Sequence, residues 1–307
     1  MNLEQDLFGL HFQNPVLLAA GTCGFGLELT EVLDLERLGG FVTKSVTVEP
    51  RAGNAAPRVA EVPGAMLNSI GLANPGLAAV RAEKIPWIRD NVKAARVFVS
   101  LAGHQVNEYL DMVAALDGDA GFDGFELNLS CPNDARLGGR PFSLDPEALE
   151  AVVRGVRQRT DRPVLVKLAP NDPDIAATAV LAEECGADGL TLVNTLPGLV
   201  IDPDTRRPAI GAGSGGLSGP ALRAVGVHAV WKARSRVGIP VVGVGGISTA
   251  ADALQYLLAG ASLVQIGTAT FADPATAARV VGGLAAHGRR HGLSDLSDLV
   301  GRAEFGD

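Results

Sequence analysis

The chain has 307 residues, a formal net charge of −8 at pH 7 and a hydrophobic fraction of 47%. This length exceeds that of most single domains and fits the (β/α)8 barrel, which takes about 250 residues plus insertions. The acidic balance argues against a general nucleic-acid or anionic-membrane surface. No run of about 18 apolar residues predicts a membrane span, and residues 1–6 lack the pattern of a signal peptide.

Eight short apolar runs recur along the chain, and each ends in a polar or glycine-rich corner. They are rich in Val, Leu and Ile and do not alternate with polar residues, which is typical of parallel strands buried on both faces. The runs cover residues 15–20, 41–46, 97–101, 124–129, 163–168, 189–194, 240–244 and 263–267. Segments with apolar residues at helical spacing lie between and after them, at residues 27–38, 105–116, 145–159, 173–185, 219–237, 249–258 and 274–291.

This alternation predicts an α/β fold, a closed (β/α)8 TIM barrel that forms a single domain over residues 1–307. An open doubly wound sheet is the alternative. Three long segments, 47–86, 132–144 and 195–218, each follow a predicted strand. We therefore expect them as insertions at the C-terminal face of the barrel, where they are candidate lids or substrate walls.

The predicted strand ends bring polar side chains to one mouth of the barrel. Lys44 and Lys167 end the second and fifth strands, and Asn128 and Asn194 end the fourth and sixth. Such a mouth suits a planar, anionic ligand that is rich in hydrogen-bonding groups. A simple ion pair is the alternative for the lysines, although acidic residues are scarce at these strand ends and Glu126 is the nearest exception.

Glycine-rich turns follow the seventh and eighth strands. One turn contains Gly245 and Gly246, and the other contains Gly267 and Thr268. Backbone N–H groups approach an anion closely at such turns, and the loops after these two strands commonly bind phosphate in this fold. We therefore predict a phosphate site, either for a flavin mononucleotide or for a sugar phosphate. A purely structural role in tight turns is the alternative.

Cys131 is the strongest single candidate for catalysis. It stands between Ser130 and Pro132, just past the fourth strand. A thiol there can act as a base once its pKa is lowered or the substrate is aligned. A nucleophilic role is the alternative, but no histidine lies nearby in sequence to activate the thiol. Cys23 and Cys185 are expected to be packing residues.

The cysteine count also bears on metals and on the compartment. Three cysteines at wide spacing predict neither a disulfide framework nor a structural zinc or iron–sulfur site in this chain. We therefore expect no bound metal and a reducing, cytoplasmic location.

Three loops match one known pattern in order along the chain. They contain Thr43-Lys44-Ser45, residues 68–76 with the sequence NSIGLANPG, and residues 128–133 with the sequence NLSCPN. Together they resemble the dihydroorotate dehydrogenase family, and the resemblance runs from residue 7 to about residue 271. It implies a barrel that binds FMN and oxidises dihydroorotate to orotate in pyrimidine biosynthesis.

The residue at position 131 places the resemblance within class 1 of that family. Class 2 enzymes are membrane-associated, use a serine base and carry an N-terminal extension, whereas this chain has Cys131 and is expected to lack the extension. Residues 192–208 and 215–220 are similar to subclass 1B. That subclass is a catalytic subunit whose partner carries FAD and a [2Fe–2S] cluster and passes electrons to NAD.

The resemblance therefore implies a homodimeric core that joins such a partner in a heterotetramer. Three alternatives stay open. One is a fumarate-dependent class 1A homodimer, the second is a related flavin enzyme that reduces pyrimidines, and the third is a non-redox phosphate-binding barrel.

The resemblance also implies roles for individual residues. Cys131 takes the proton from C5 of dihydroorotate, while hydride leaves C6 for N5 of the flavin. Lys44 bridges flavin and substrate, and Lys167 lies near N1 and O2 of the isoalloxazine, where positive charge stabilises the reduced anion. The other implied substrate contacts are Asn68, Gly71, Leu72, Asn128, Asn133, Asn194 and Thr195. The other implied flavin contacts are Ala20, Gly21, Ser45, Asn128, Ser218, Gly219, Gly245, Gly246, Gly267 and Thr268.

Overall fold

The computed structural model describes residues 1–130 and 140–305. Its strands are β1 (Gln5–Leu7), β2 (Leu10–Phe12), β3 (Val16–Leu18), β4 (Gly40–Val42), β5 (Val59–Val62), β6 (Ala65–Asn68), β7 (Arg96–Leu101), β8 (Gly124–Asn128), β9 (Val164–Leu168), β10 (Gly189–Leu192), β11 (Leu196–Gly198), β12 (Ile201–Asp202), β13 (Arg207–Pro208), β14 (Gly215–Ser218), β15 (Val241–Val244) and β16 (Leu263–Ile266).

The helices are α1 (Leu77–Ala79), a π-helical segment (Val80–Lys84) that continues into α2 (Ile85–Asn91), α3 (Val106–Leu116), α4 (Pro146–Arg157), α5 (Ile175–Glu184), α6 (Arg223–Arg234), α7 (Ala250–Ala259), α8 (Ala269–Ala272) and α9 (Thr276–His291). Short 3₁₀ helices cover Leu27–Leu29, Leu35–Arg37, Phe142–Leu144, Pro220–Leu222 and Leu296–Asp298. Within this part of the chain, no helix is long and apolar enough to cross a membrane.

Eight parallel strands close into a barrel in the order β3, β4, β7, β8, β9, β10, β15 and β16, and β16 pairs again with β3. These strands correspond to the eight predicted apolar runs, and nearly all of their residues are buried. Helices cover the outer face while the barrel interior covers the inner face, which explains the lack of polar alternation. The predicted (β/α)8 TIM barrel is therefore confirmed, and the open doubly wound alternative is wrong.

The lower end of the barrel is closed by an apolar plug. The hairpin β1–β2 packs Phe8 and Phe12 against Phe98 of β7, with ring centroids 6.3 and 6.5 Å from that of Phe98. The same cluster contains Leu17 and Leu165 from early positions of their strands. Because the plug fills the bottom of the barrel, polar groups for binding lie towards the opposite, C-terminal end.

Two of the three predicted insertions combine into one sheet. Strands β5 and β6 come from the segment after β4, and β11 and β14 come from the segment after β10. They form an antiparallel sheet in the order β11, β14, β6, β5, in which Gly216 pairs with Asn68 and Leu217 with Leu67. Since both segments follow barrel strands, this sheet stands at the C-terminal mouth, as expected for a substrate wall.

The predicted helix over residues 27–38 is wrong. The structure has only two 3₁₀ turns there, Leu27–Leu29 and Leu35–Arg37, which an irregular stretch separates. Asp34 adopts an extended conformation and its side chain accepts a hydrogen bond from the backbone N–H of Glu36, so it starts a new turn and does not continue the first.

Candidate active site

A cavity of about 850 Å³ opens at the C-terminal mouth of the barrel. Its volume lies within the range of roughly 300–1,000 Å³ that is typical of small-molecule sites. Every predicted substrate or flavin contact among the described residues lines it. These are Ala20, Gly21, Lys44, Ser45, Asn68, Gly71, Leu72, Asn128, Lys167, Asn194, Thr195, Ser218, Gly219, Gly245, Gly246, Gly267 and Thr268.

Cys131 and Asn133 lie outside the described residues, as does most of the predicted loop 132–144. The roles of the two side chains therefore stay predictions. The preceding residue, Ser130, is buried, and its Oγ accepts a hydrogen bond from Nδ2 of Asn194 at 3.0 Å. Ser130, the last described residue before position 131, is therefore bonded to a residue that lines the cavity.

The other two cysteines are packing residues, as predicted. Cys23 is buried, and its thiol donates to the backbone oxygen of Val42 at 3.1 Å. Burial raises the pKa of Cys23 to about 12, and burial also raises the pKa of Cys185. Neither thiol is available as a base near neutral pH.

A chain of hydrogen bonds fixes the amide groups on one side of the cavity. Asn194 donates from Nδ2 to Oδ1 of Asn128 at 3.1 Å, and Asn128 donates from Nδ2 to Oγ of Ser45 at 3.2 Å. The oxygen of Asn194 accepts from the backbone N–H of Thr195 at 2.7 Å. From the inserted sheet, Asn68 donates to the backbone oxygen of Gly216 at 3.1 Å. The orientation of these amides is thus set by the protein.

Lys167 is paired with an acidic residue, as the ion-pair alternative expects, and it also lines the cavity. Its Nζ lies 3.3 Å from Oε1 of Glu126, and both side chains are buried. Asn128 is the register neighbour of Lys167 on β8, and Glu126 is two residues earlier. Thr191 and Gln265 also donate to Glu126, each at 2.9 Å. Sequence reasoning missed these two residues because they lie before the ends of their strands, and the sequence does not show which interior side chains meet.

The loop 68–74 holds two residues in the left-handed region of backbone conformation. Gly71 has φ +71°, and Leu72, which is buried, has φ +54°. Such a conformation is uncommon for a leucine and concentrates at functional sites. Asn74 supports it by donating to the backbone oxygen of Leu72 at 2.7 Å and to the hydroxyl of Thr47 at 2.8 Å. Asn74 was not predicted as a site residue, although it lies within the NSIGLANPG motif that could have indicated it.

The turn after β15 forms a cradle without side chains. Gly245 and Gly246 have φ of +126° and +68°, and a Cβ at Gly246 would lie 2.8 Å from the backbone nitrogen of Arg223. The carboxylate of Asp252 accepts hydrogen bonds from the backbone N–H groups of Ser248 and Thr249, at 3.1 and 2.9 Å. The carboxylate of Asp252 therefore fixes the backbone that follows the turn, while Gly245 and Gly246 line the cavity.

The charge of Asp252 is stabilised by this arrangement. Burial opposes ionisation, but the hydrogen bonds from Ser248 and Thr249 outweigh it, so the pKa of Asp252 is lowered. Arg223 also lies in contact with this carboxylate. Across the cavity, Thr268 donates to Oγ of Ser218 at 2.8 Å and so joins the turn after β16 to the inserted sheet.

Comparison with known proteins gives the same family from a family model and from individual relatives. A family model described as dihydroorotate dehydrogenase matches residues 2–287. A relative named dihydroorotate dehydrogenase B (NAD(+)), catalytic subunit, from a Geobacter species is 43% identical over 297 residues, covering 97% of this chain and 96% of that protein. A protein of the same name from Desulforudis audaxviator is 47% identical over 296 residues, covering 96% and 95%.

Two further relatives differ in name or in closeness. A protein named putative dihydroorotate dehydrogenase A (fumarate), from Solibacter usitatus, is 46% identical over 303 residues and covers 99% of each chain. Among solved structures, that of DHODH in complex with ferulenol from Eimeria tenella has a TM-score of 0.83 and 24% identity, covering 98% of this chain and 88% of that one. The last likeness supports the barrel fold.

Proposed function

Because the chain belongs to the dihydroorotate dehydrogenase family, we propose that it oxidises dihydroorotate to orotate in pyrimidine biosynthesis, and that a separate electron-transfer subunit passes the electrons to NAD. The observation that carries this proposal is the cavity at the barrel mouth. It brings fixed amides, a buried lysine and two glycine-rich turns to one space. We further propose that the whole chain acts as one catalytic domain in the cytoplasm.

The family is flavin-dependent, and the residues of the cavity fit FMN. Gly245 and Gly246 line the cavity without side chains, so a phosphate can approach their backbone N–H groups closely. Gly267 and Thr268, in the turn after the neighbouring strand β16, also line the cavity. The cation of Lys167, which lines the same cavity, suits the pyrimidine edge of an isoalloxazine. When bound, the flavin supplies the acceptor for the hydride that leaves the substrate.

The chain's own residues bind and orient the substrate. Asn68, Asn128, Asn194 and Thr195 offer hydrogen bonds to a pyrimidine ring and its carboxylate. Because three of these side chains are already hydrogen-bonded within the protein, little orientation is left to be lost on binding. In the same proposal, the backbone of Gly71 and Leu72 and the side chain of Asn133 complete the substrate site.

The proton at C5 of the substrate is assigned to Cys131. The thiolate of Cys131 accepts this proton, while the bond between C6 and its hydrogen breaks with both electrons leaving as hydride. The ring then gains the double bond of orotate, so that one proton and one hydride are removed in total. Lys44 is placed between substrate and flavin in this proposal, since it lines the same wall of the cavity as Gly21 and Ser45.

Spectroscopy of the purified chain tests this function. We expect a yellow protein with the absorbance of bound FMN, which dihydroorotate bleaches under anaerobic conditions with stoichiometric formation of orotate. A colourless chain that takes up no FMN would contradict the flavin assignment. A yellow chain whose flavin stays oxidised after dihydroorotate is added would contradict the substrate assignment.

A fumarate-linked reaction is the second candidate, because the Solibacter usitatus relative named for fumarate is 46% identical over 99% of this chain. Reoxidation separates the two. After reduction by dihydroorotate, the isolated chain is mixed with fumarate or with NAD⁺, with and without proteins that copurify from the native cell.

For the NAD-linked enzyme we expect no reoxidation by fumarate. Reoxidation by NAD⁺ is expected only with a copurifying subunit that contains FAD and a [2Fe–2S] cluster, in a heterotetramer around a homodimer of this chain. Fast reoxidation by fumarate without any partner would instead support the class 1A reaction.

A further inference from the structure

Glu126 is a fully buried carboxylate inside the barrel, one layer beneath the cavity. It precedes Asn128 by two residues on β8, so both side chains point to the barrel interior, and only Asn128 lines the cavity. A buried carboxylate is costly unless it is paired and hydrogen-bonded. At this depth Glu126 therefore needs partners that compensate its charge.

Three donors from three other barrel strands converge on this carboxylate. Lys167 of β9 lies 3.3 Å from Oε1. Thr191 of β10 and Gln265 of β16 donate to Oε2, each at 2.9 Å. Because both oxygens are engaged, the carboxylate has a fixed position, and the ammonium group that it pairs with is held from below.

Lys167 is the member of this network that reaches the cavity. It is about 6% exposed and lines the cavity wall, whereas Glu126, Thr191 and Gln265 do not line it. A ligand in the cavity therefore contacts the positive charge of Lys167, while the negative charge of Glu126 lies behind the lysine, away from the cavity. The field at the ligand depends on both members of the pair, because charges in a buried site are only weakly screened.

We propose that Glu126 is a positioning residue that holds Lys167 Nζ at the cavity wall and reduces the positive charge that the wall offers to a bound flavin. This inference rests on the proposed function. Reduction of a flavin to its anion adds negative charge near this wall, and Lys167 favours that change while Glu126 opposes it. Glu126 therefore lowers the reduction potential of the bound flavin, and keeps the lysine in place.

Replacement by glutamine removes the charge and preserves the shape. Within the described part of the chain, Oε1 of Gln265 is buried and has no hydrogen-bond partner. Rotation of the Gln265 amide presents this oxygen to the new amide group, which needs an acceptor. The Glu126→Gln variant is therefore expected to fold and to bind FMN.

The test is the midpoint potential of the FMN-loaded full chain, measured by equilibration with reference dyes. At a fixed solution potential, we expect the ratio of reduced to oxidised flavin in Glu126→Gln to be about tenfold above wild type, which is a rise of about 30 mV for a two-electron couple. Glu184→Gln removes the same charge from an exposed position on α5 and should leave the potential unchanged.

A second variant tests the same network if Glu126→Gln fails to fold. Thr191→Val keeps the carboxylate and removes one of its donors, so the negative charge is less well compensated and the potential should fall. An unchanged reduction potential in Thr191→Val, or a wild-type reduction potential in folded Glu126→Gln, would overturn this inference and leave the proposed function standing. A wild-type chain that takes up no flavin would overturn the proposed function and this inference with it.

Discussion

Asn194 donates a hydrogen bond from its side-chain nitrogen to the side-chain oxygen of Asn128, 3.1 Å away. Asn128 ends β8 and Asn194 follows β10, and β9 lies between these two strands in the barrel. The contact fixes which way each amide faces, since the nitrogen of Asn194 is committed to Asn128 and Ser130 and its oxygen to the backbone of Thr195. The site is thus pre-organised before any ligand binds.

Replacing Asn194 with alanine should weaken substrate binding and leave FMN in place. The second lone pair of the Asn194 side-chain oxygen is left to accept a hydrogen bond from the substrate. The variant loses this bond and the constraint on Asn128, each worth about 0.5–1.5 kcal/mol. We expect kcat/KM for dihydroorotate to fall by about 10–100-fold, measured by anaerobic stopped-flow reduction of the flavin. Asn91→Ala, which changes an exposed amide on α2, is the matched control. An unchanged kcat/KM in Asn194→Ala would remove this residue from the substrate site.

Replacement of Cys131 and of Cys185 should have different effects on the reaction. Removal of a general base typically slows the reaction by about 10²–10⁴-fold. We therefore expect Cys131→Ala to bind FMN normally while its flavin is reduced that much more slowly by dihydroorotate, with Cys131→Ser a milder case. Cys185→Ala, at a buried site next to α5, is the control and should react as wild type does. Equal reduction rates in all these variants would disprove the assignment of the base.

Thiol alkylation gives an independent measure of the same difference. The pKa of Cys23 is raised to about 12, and that of Cys185 is also raised, in both cases chiefly by burial. At pH 8 the reactive thiolate of Cys23 is therefore only about one part in 10⁴ of the total. We expect iodoacetamide to leave Cys23 and Cys185 unmodified in the folded chain, by peptide mass analysis, and to modify both after denaturation. Labelling of either one in the native chain would contradict their assignment as packing residues.

The barrel itself could be predicted because its strands are buried on both faces. Runs such as Val164–Leu168 are almost entirely apolar, and that pattern needs no knowledge of which strands are neighbours. The inserted sheet could not be predicted in this way. Strands β6 and β14 are only four residues long, and Leu67 and Leu217, which pair, are 150 residues apart in the chain. Their pairing depends on the closed barrel.

The candidate site was predictable wherever a strand end was enough to place a side chain. Lys167 and Asn194 were found in this way because all parallel strands end at the same mouth. The pairing of Lys167 with Glu126 was open only as an alternative, since it depends on the stagger between β8 and β9, which places Glu126 opposite Leu165 and not opposite Lys167. Sequence alone gives the ends of strands but not the layers within a barrel.

The glycine turn after β15 should not tolerate a side chain. Gly246 has φ +68°, and a Cβ there would meet the backbone of Arg223 and Gly219 at 2.8 and 2.9 Å. We expect Gly246→Ala to lower the free energy of unfolding by at least about 1–2 kcal/mol and to weaken FMN binding by tenfold or more. Thermal unfolding and fluorescence titration with FMN measure the two effects.

A matched glycine substitution elsewhere should act in the opposite direction. Gly282 lies on the exposed face of α9, and a Cβ there has nothing within 4 Å. Gly282→Ala should stabilise the chain by about 0.5–1 kcal/mol through helix propensity and leave FMN affinity unchanged. Wild-type FMN affinity in Gly246→Ala would contradict the assignment of this turn to the phosphate.

Acid should weaken the support beneath the same turn. Although burial opposes it, the hydrogen bonds from Ser248 and Thr249 lower the pKa of Asp252 below its usual value near 3.8. A lowered pKa in the folded state means that the stabilisation is fully present above the unfolded pKa and is lost as the pH falls through the folded pKa.

Asp252→Asn should therefore lower the free energy of unfolding by about 1–3 kcal/mol at pH 7 and pH 5. Below about pH 4, this difference in free energy between the variant and wild type should become smaller. Urea unfolding at pH 7, 5 and 3 measures the free energy of unfolding of both proteins. Asp161→Asn, at an exposed position, is the control, and its free energy of unfolding should stay near that of wild type at each pH. A difference that is the same at pH 3 and pH 7 would mean that the charge of Asp252 does not hold the turn.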